Sequence, residues 1–375
     1  MFSEVKKTCR IAVLLTALSL VFLFGCARTL PAGESGPSVD ITQAEPFVPA
    51  ADGSNYLEPV YRNYPPEEME AVAADNPPAL NPFPTLSVPT WITKIGETWF
   101  LVDCYHNQIL YNDASDALSE PLGNWRIMTG DVTQPHTVAG DGEVYLVDDT
   151  ENNRVLVFER VGDAFVNTQT FWNIGNRPHY TVYDRATDTF YVWSSLTGEL
   201  YLFRRAKDTR DIYETEIRRI PSLDGVYVRS FTIDGDRIYF VSGVCPEDAA
   251  SYTPAILCCD LKTLEILERY DVPDSVAGMA QVTKDPDGGW YITVSTDAAG
   301  NQDACALLHA DSLADLTKGD YTDIYSRFFV GGGTPYYISR IGDSFFLTEL
   351  RLRDHGIWRF SYDKKAYVKD VEAIY

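Results

Sequence analysis

Histidine, methionine and cysteine are scarce, at 5, 4 and 7 of 375 residues. No Cys-x-x-Cys pair occurs, which excludes zinc-ribbon and thioredoxin-type sites. A Gly-x-Ser-x-Gly elbow is also missing, so a nucleophilic serine has no sequence support. The one glycine run, 331–333, follows "RFFV" without the strand–loop–helix context that cradles phosphate. "DPDGG" (285–289) and "IDGDR" (233–237) lack the twelve-residue loop and terminal Glu of a calcium site, so they read as hairpin turns. Basic residues are outnumbered: 31 Lys and Arg face 54 Asp and Glu, a net charge of −23. Such a surface repels phosphate backbones, which argues against a nucleic-acid partner.

Long apolar runs are absent apart from Ile11 to Phe24. That run is too short to span ~30 Å of hydrocarbon comfortably, and it follows Lys6, Lys7 and Arg10, as a signal-peptide core does. It ends in "LFGC", which resembles the bacterial lipoprotein signal, so residues 1–25 are expected to be removed. The resemblance implies lipidation of Cys26, an exported chain and a lipid anchor in the cell membrane facing outside the cytoplasm. Several acyl chains, at about 0.8 kcal/mol per buried methylene, hold firmly. Residues 26–84 are acidic and carry most of the 12 prolines found between Pro31 and Pro89, out of 21 in the chain. Proline extends the backbone and removes donors, so 26–84 is expected to be a disordered tether, with "NYLEPVYRNY" (55–64) aromatic enough to dock. Of the cysteines, Cys104, Cys245, Cys258, Cys259 and Cys305 remain, an odd number that permits at most two bridges.

From residue 85 onward a pattern repeats. Counting from Pro89, Pro135 and Pro335, glycine falls at +7 (Gly96, Gly142, Gly342) and an aromatic at +10 (Trp99, Tyr145, Phe345). Val228 starts a fourth copy with Gly235 at +7. "PHYTVYDRATDTFYVW" from Pro178 fits after two extra turn residues, and "GMAQVTKDPDGGWYITV" from Gly278 fits with a slight shift. Each copy is a strand, a tight turn and further strands. One such sheet cannot cover both its faces, whereas six in a ring cover one another. The sequence therefore predicts an all-β, six-bladed β-propeller over 85–375, with Trp99, Tyr145, Tyr191, Tyr239, Trp290 and Phe345 between the blades. "YLVDDTENNRVLVFER", with Asp148, Asn152, Asn153 and Arg154, closely resembles the NHL repeat. That resemblance implies the propeller fold; its superfamily includes binding scaffolds, lactonase-like hydrolases and lyases, so activity has to be argued from a site.

The repeat also gathers candidate site residues on one face. Just after each start lie Thr90, His136, His179, Arg229, Met279 and Tyr336, around the mouth of the axial channel. Second strands end in Asp103, Asp148, Asp149 and Glu349, and the loops beyond add His106 and His355. One reading is a divalent metal held by His136, His179, Asp103, Asp148 and Glu349, with Arg229 stabilising negative charge, in a hydrolase or lyase. The plainer reading makes the acids caps of turn amides and leaves the histidines lining a wet channel. The leading expectation is a non-catalytic module. Its rim of Trp91, His136, His179, Arg229 and Tyr336, with Tyr180 and Tyr337, would take a carbohydrate, a peptide or an envelope protein.

Overall fold

A computed structural model of the chain describes residues 44–243, 253–351 and 356–375. These form six antiparallel sheets of four strands, each sheet continuous in sequence. Blade 1 comprises β1 (Pro89–Ile95), β2 (Thr98–Asp103), β3 (Gln108–Asn112) and β4 (Arg126–Thr129). Blade 2 comprises β5 (Val138–Gly140), β6 (Val144–Asp149), β7 (Arg154–Val161) and β8 (Ala164–Trp172). Blades 3 and 4 run from β9 (Pro178–Asp184) to β12 (Ile212–Arg219) and from β13 (Val228–Asp234) to β16 (Ile266–Asp271). Blades 5 and 6 run from β17 (Gly278–Lys284) to β20 (Thr322–Asp323) and from β21 (Pro335–Ile341) to β24 (Tyr367–Ala373). The first strands start where the repeat does in five blades, and in blade 2 at Val138, three residues after Pro135.

The +7 glycines have a steric reason. Gly96, Gly235 and Gly342 sit at φ of 61°, 62° and 62° in the first hairpin, a left-handed conformation that glycine adopts without strain. Blade 3 replaces glycine with Asp188 at φ 50°, which the longer turn "RATD" permits. Blade 5 opens on glycine rather than proline because a Cβ at Gly278 would stand 2.5 Å from the Thr296 carbonyl oxygen.

An aromatic pair seals each of the six junctions between blades. Phe100 meets Tyr145, Phe171 meets Phe203, and Trp193 meets Phe240. Tyr239 meets Trp290, Tyr291 meets Phe345, and Trp99 meets Phe346. Each pair contributes about 0.5–1.5 kcal/mol beyond the apolar area it buries. The ring closes between blades 6 and 1 without exchanging a strand. Besides Trp99 and Phe346, the Thr348 hydroxyl donates to the Thr90 carbonyl at 2.9 Å, and Tyr375 donates to the Glu120 carbonyl at 2.9 Å.

Residues 44–84 differ from the disordered tether expected of them. They form a strap along the outer edges of three blades, with bridges from Phe47 to Ala206, Arg62 to Gln169 and Leu80 to Arg126. Phe47, Met69 in helix α1 (Met69–Asp75) and Asn81 are buried, and Tyr56 packs on Tyr213 at 5.0 Å. The physical reason is the edge itself. Outer strands present unpaired amides and carbonyls, and the strap takes them up: the Leu57 amide donates to Glu214 at 2.8 Å and the Asn63 amide to Thr168 at 2.7 Å. The signal region 1–25, the lipidation site Cys26 and the tether up to residue 43 lie outside the described residues. Cys104, Cys258, Cys259 and Cys305 are free thiols; Cys245 is also outside the described residues.

Candidate functional site

Rim positions in blades 1, 3, 4 and 6 occupy β-bulges. In blade 1 Pro89 pairs with Asp103 and Trp91 with Val102, leaving Thr90 as the extra residue. The same count leaves His179 extra in blade 3 and Arg229 in blade 4, while in blade 6 Tyr336 and Tyr337 together oppose Thr348. A bulge bends its strand and re-aims the extra side chain. Here it brings His179, Arg229, Tyr336 and Tyr337 together at the top of the channel, beside His136.

The two histidines stack at 3.7 Å, and hydrogen bonds orient both rings. The Thr150 hydroxyl donates to the Pro178 carbonyl at 2.7 Å, so its oxygen accepts from Nδ1–H of His136 at 2.9 Å. The Tyr337 hydroxyl donates to the Arg229 carbonyl at 2.7 Å, and His179 Nδ1–H donates to the same pair of oxygens at 2.9 and 3.1 Å. His179 Nε2 then accepts from Tyr227 at 3.2 Å and Tyr336 at 3.4 Å. With Nδ1 donating and Nε2 accepting, His179 is the neutral Nδ1–H tautomer. Burial, with the neighbouring Arg177 and Arg229, pushes His136 down to about 3, and burial with the His136 ring drives His179 well below its usual value. His136 is also held by the Gln134 backbone and keeps 6% of its surface exposed.

Arg229, half-buried, lies 5.0 Å over the Tyr227 ring and donates through Nη1 to the Met279 carbonyl at 3.2 Å and Ser295 Oγ at 3.0 Å. Gly243 leaves room for it, since a Cβ there would stand 3.4 Å from Nη1. Ser195 Oγ, buried and one residue past its second strand as Thr150 is in blade 2, has no partner among the described residues. Thr150, Ser195, Tyr227 and Ser295 carried no motif in the sequence. Only the register of each second strand against its rim residue could have pointed to the first two.

Trp91, expected on the rim, lies below it. Its ring packs edge-on against Tyr180 at 5.7 Å and Tyr337 at 6.2 Å, and Gln281 ties this plug by donating to the Tyr180 hydroxyl at 2.7 Å. The other side of Trp91 faces a cavity of about 400 Å³ at the hairpin end of the channel, lined also by Thr93, Val138, Thr181 and Tyr183. A large indole reaches further along the axis than its place in the strand suggests.

The acids do not join the histidines as a metal set. Asp103 accepts the Ser87 amide at 2.7 Å, Asp149 the Thr133 amide at 2.7 Å and Glu349 the Gly333 amide at 2.6 Å, each sixteen residues back. In blade 3 Ser194 takes the Asn176 amide across eighteen residues, the same two-residue insertion seen in its turn. Asp148 accepts the His136 amide at 2.6 Å, the Thr137 amide and hydroxyl, and the Thr181 hydroxyl at 3.2 Å. Burial pushes its carboxyl up to about 7 against the pull of these donors, and Glu349 up to about 6. Asp103, Asp148 and Glu349 thus cap the amides of incoming loops, which need such partners. Among the described residues no group of three or more potential ligands converges. His106 is also engaged away from the mouth, on Asp103 at 2.6 Å and stacked on Phe83 at 3.7 Å. His355 lies outside the described residues.

No family model matches the chain, and no curated protein matches it. Solved structures do. A candidate 6-phosphogluconolactonase from Bacteroides uniformis matches with a TM-score of 0.54 at 13% identity, over 78% of this chain and 88% of that one. A streptogramin B lyase matches with a TM-score of 0.52 at 14% identity, over 78% and 85%. Virginiamycin B lyase from Staphylococcus aureus, solved as an inactive variant with quinupristin, matches with a TM-score of 0.50 at 13% identity, over 79% and 87%. At these identities the likeness is one of fold.

Proposed function

We propose that this propeller is a binding module rather than an enzyme, and that its ligand seats on the channel mouth formed by His136, His179, Tyr227, Arg229 and Tyr336. It is proposed to act outside the cytoplasm, held at the membrane by lipid on Cys26, on a carbohydrate, peptide or envelope protein. The observation that carries this reading is the state of the histidine pair. Burial holds both rings neutral, and His179 has both nitrogens engaged. A general base works best with a pKa near the operating pH, and an imidazole pushed down to about 3 is a weak one. The metal-assisted alternative is weakened on separate grounds, because Asp103, Asp148 and Glu349 are engaged with loop amides and hydroxyls. What is left is a rigid, aromatic-walled polar surface, which suits recognition.

The test is a screen of glycan and peptide arrays with the purified full chain, repeated with His136→Ala and Arg229→Gln. A hit that both variants lose, while they melt as the parent does, supports the reading. Hits that neither variant alters would move the site elsewhere on the ring. Turnover of any hit would restore the enzyme reading. Palmitate labelling of cells carrying Cys26→Ser against the parent tests the anchor independently.

A further inference from the structure

The channel has a second end. The plug of Trp91, Tyr180, Tyr337 and Gln281 closes it below the mouth, and beyond the plug lies the cavity of about 400 Å³. Blade 2 makes the room. Its first strand has three residues, against seven in β1 and β9 on either side. Those three, Val138, Ala139 and Gly140, are small, and Gly140 has to be: a Cβ there would stand 2.8 Å from the Tyr145 ring. The space falls at the lower end of the ~300–1,000 Å³ typical of small-molecule pockets. Trp91, Ile95, Val182 and Tyr183 line it half-buried, so its walls offer apolar surface. The Thr181 hydroxyl is already engaged on Asp148 at 3.2 Å, and the Tyr183 hydroxyl donates to Asp188 at 2.8 Å.

Charge at the opening sets the polar end of a ligand. Four copies of the repeat carry glycine seven residues from their start, and at that place blade 3 carries Arg185. The longer turn of blade 3 leaves Arg185 exposed beside the cavity, and Lys94 of blade 1 lines the same opening. Lys94 pairs with Glu97 at 2.9 Å, but the Glu97 side chain is 92% exposed and water weakens such a pair. The one acid of the lining, Asp141, is neutralised by Arg205 at 2.5 Å and accepts the amides of Glu143 and Val144. Two cations therefore face the opening, on a chain whose net charge of −23 otherwise disfavours anions. A guanidinium meets a carboxylate with two parallel donors, and an ammonium adds another. Deeper in, the Trp91 ring stands nearly perpendicular to Tyr180 and Tyr337 and presents its remaining surface to a flat apolar body.

We propose that the hairpin end of the channel is a second binding site, for a small aromatic carboxylate. Its rings lie against Trp91 and its carboxylate sits between Arg185 and Lys94. The site is at the opposite end from the mouth and does not depend on the function proposed there. The probes are 2-naphthoate and its uncharged isostere 2-naphthamide, each titrated by calorimetry into the purified full chain. 2-Naphthoate is expected to bind on the order of tenfold more tightly, the worth of a charge-assisted contact. Arg185→Gln combined with Lys94→Gln should remove that advantage and leave 2-naphthamide binding unchanged. Thr93→Phe fills the cavity from blade 1 and should weaken both probes by about tenfold or more. Val182→Trp fills it from blade 3 if the first variant does not fold, and should neither fold, the charge variant decides alone. Equal affinity for the two probes, an advantage that survives loss of both cations, or binding that survives a folded cavity-filling variant overturns the proposal. So does failure of 2-naphthoate to bind.

Discussion

His136 shows how a single residue is set by its surroundings rather than by its sequence neighbours. Thr150 orients its ring and His179 covers one face, and burial lowers its pKa to about 3. In the unfolded chain the same ring titrates near its ordinary value of about 6.5. The folded value is the lower one, so the stability this group contributes is whole above pH ~6.5 and is lost as pH falls toward 3. Each tenfold difference in proton affinity between the folded and unfolded chain is worth about 1.4 kcal/mol, so the loss amounts to several kcal/mol. Urea unfolding of the parent and of His136→Gln at pH 7, 5 and 4 checks this: the parent should lose stability more steeply on the acid side. Parallel slopes would mean that the folded ring takes up its proton normally. Asp148 works with the opposite sign. Its carboxyl is raised to about 7, so its contribution is present below pH ~4 and fades as pH rises through 7.

At the scale of the blade, the recurring device is the acid at the end of the second strand that caps the incoming loop. Asp149 accepts the Thr133 amide at 2.7 Å and also binds Arg154 at 2.5 Å, fully buried. Removing it leaves the partly buried Thr133 amide without its acceptor and leaves Arg154 only Asp131. Asp149→Ala is therefore expected to lower unfolding free energy by about 1–3 kcal/mol or more, read from urea midpoints. Glu151→Ala two residues on breaks the partly exposed pair with Arg177 and should cost about 0–1 kcal/mol. A larger loss for Glu151 than for Asp149 would show that the loop does not depend on its cap. The Gly and aromatic spacing made the blades legible because a positive φ and a packed ring each demand particular residue types. It did not disclose the bulges, since Thr90, His179 and Arg229 gain their extra place from register, which leaves no compositional mark. The rim could thus be enumerated from sequence, while its hydrogen bonds and the descent of Trp91 into the plug could not.

For the whole molecule, the strap was far harder to foresee than the ring. Proline content made 26–84 look like free chain, because local propensity carries no information about an edge strand 100 residues away that needs its amides covered. Arg62 is the fastening, donating to Glu159 at 2.6 Å and Asp211 at 2.8 Å, acids of blades 2 and 3. Glu159 is nearly buried, so losing the guanidinium leaves an acid with its main partner gone and favours release of the strap over local adjustment. The six aromatic junctions do not involve Arg62, so the ring should stay closed. Hydrogen exchange on Arg62→Ala is therefore expected to show faster exchange at amides the strap shields or bonds along β8 and β12, with β5, β9 and β13 near the axis unchanged. Faster exchange spread over all six blades would mean that the strap belongs to the cooperative fold. A stable propeller with a loosened strap would make residues 44–84 a separately releasable covering of three blade edges, held apart from a channel mouth that keeps its geometry.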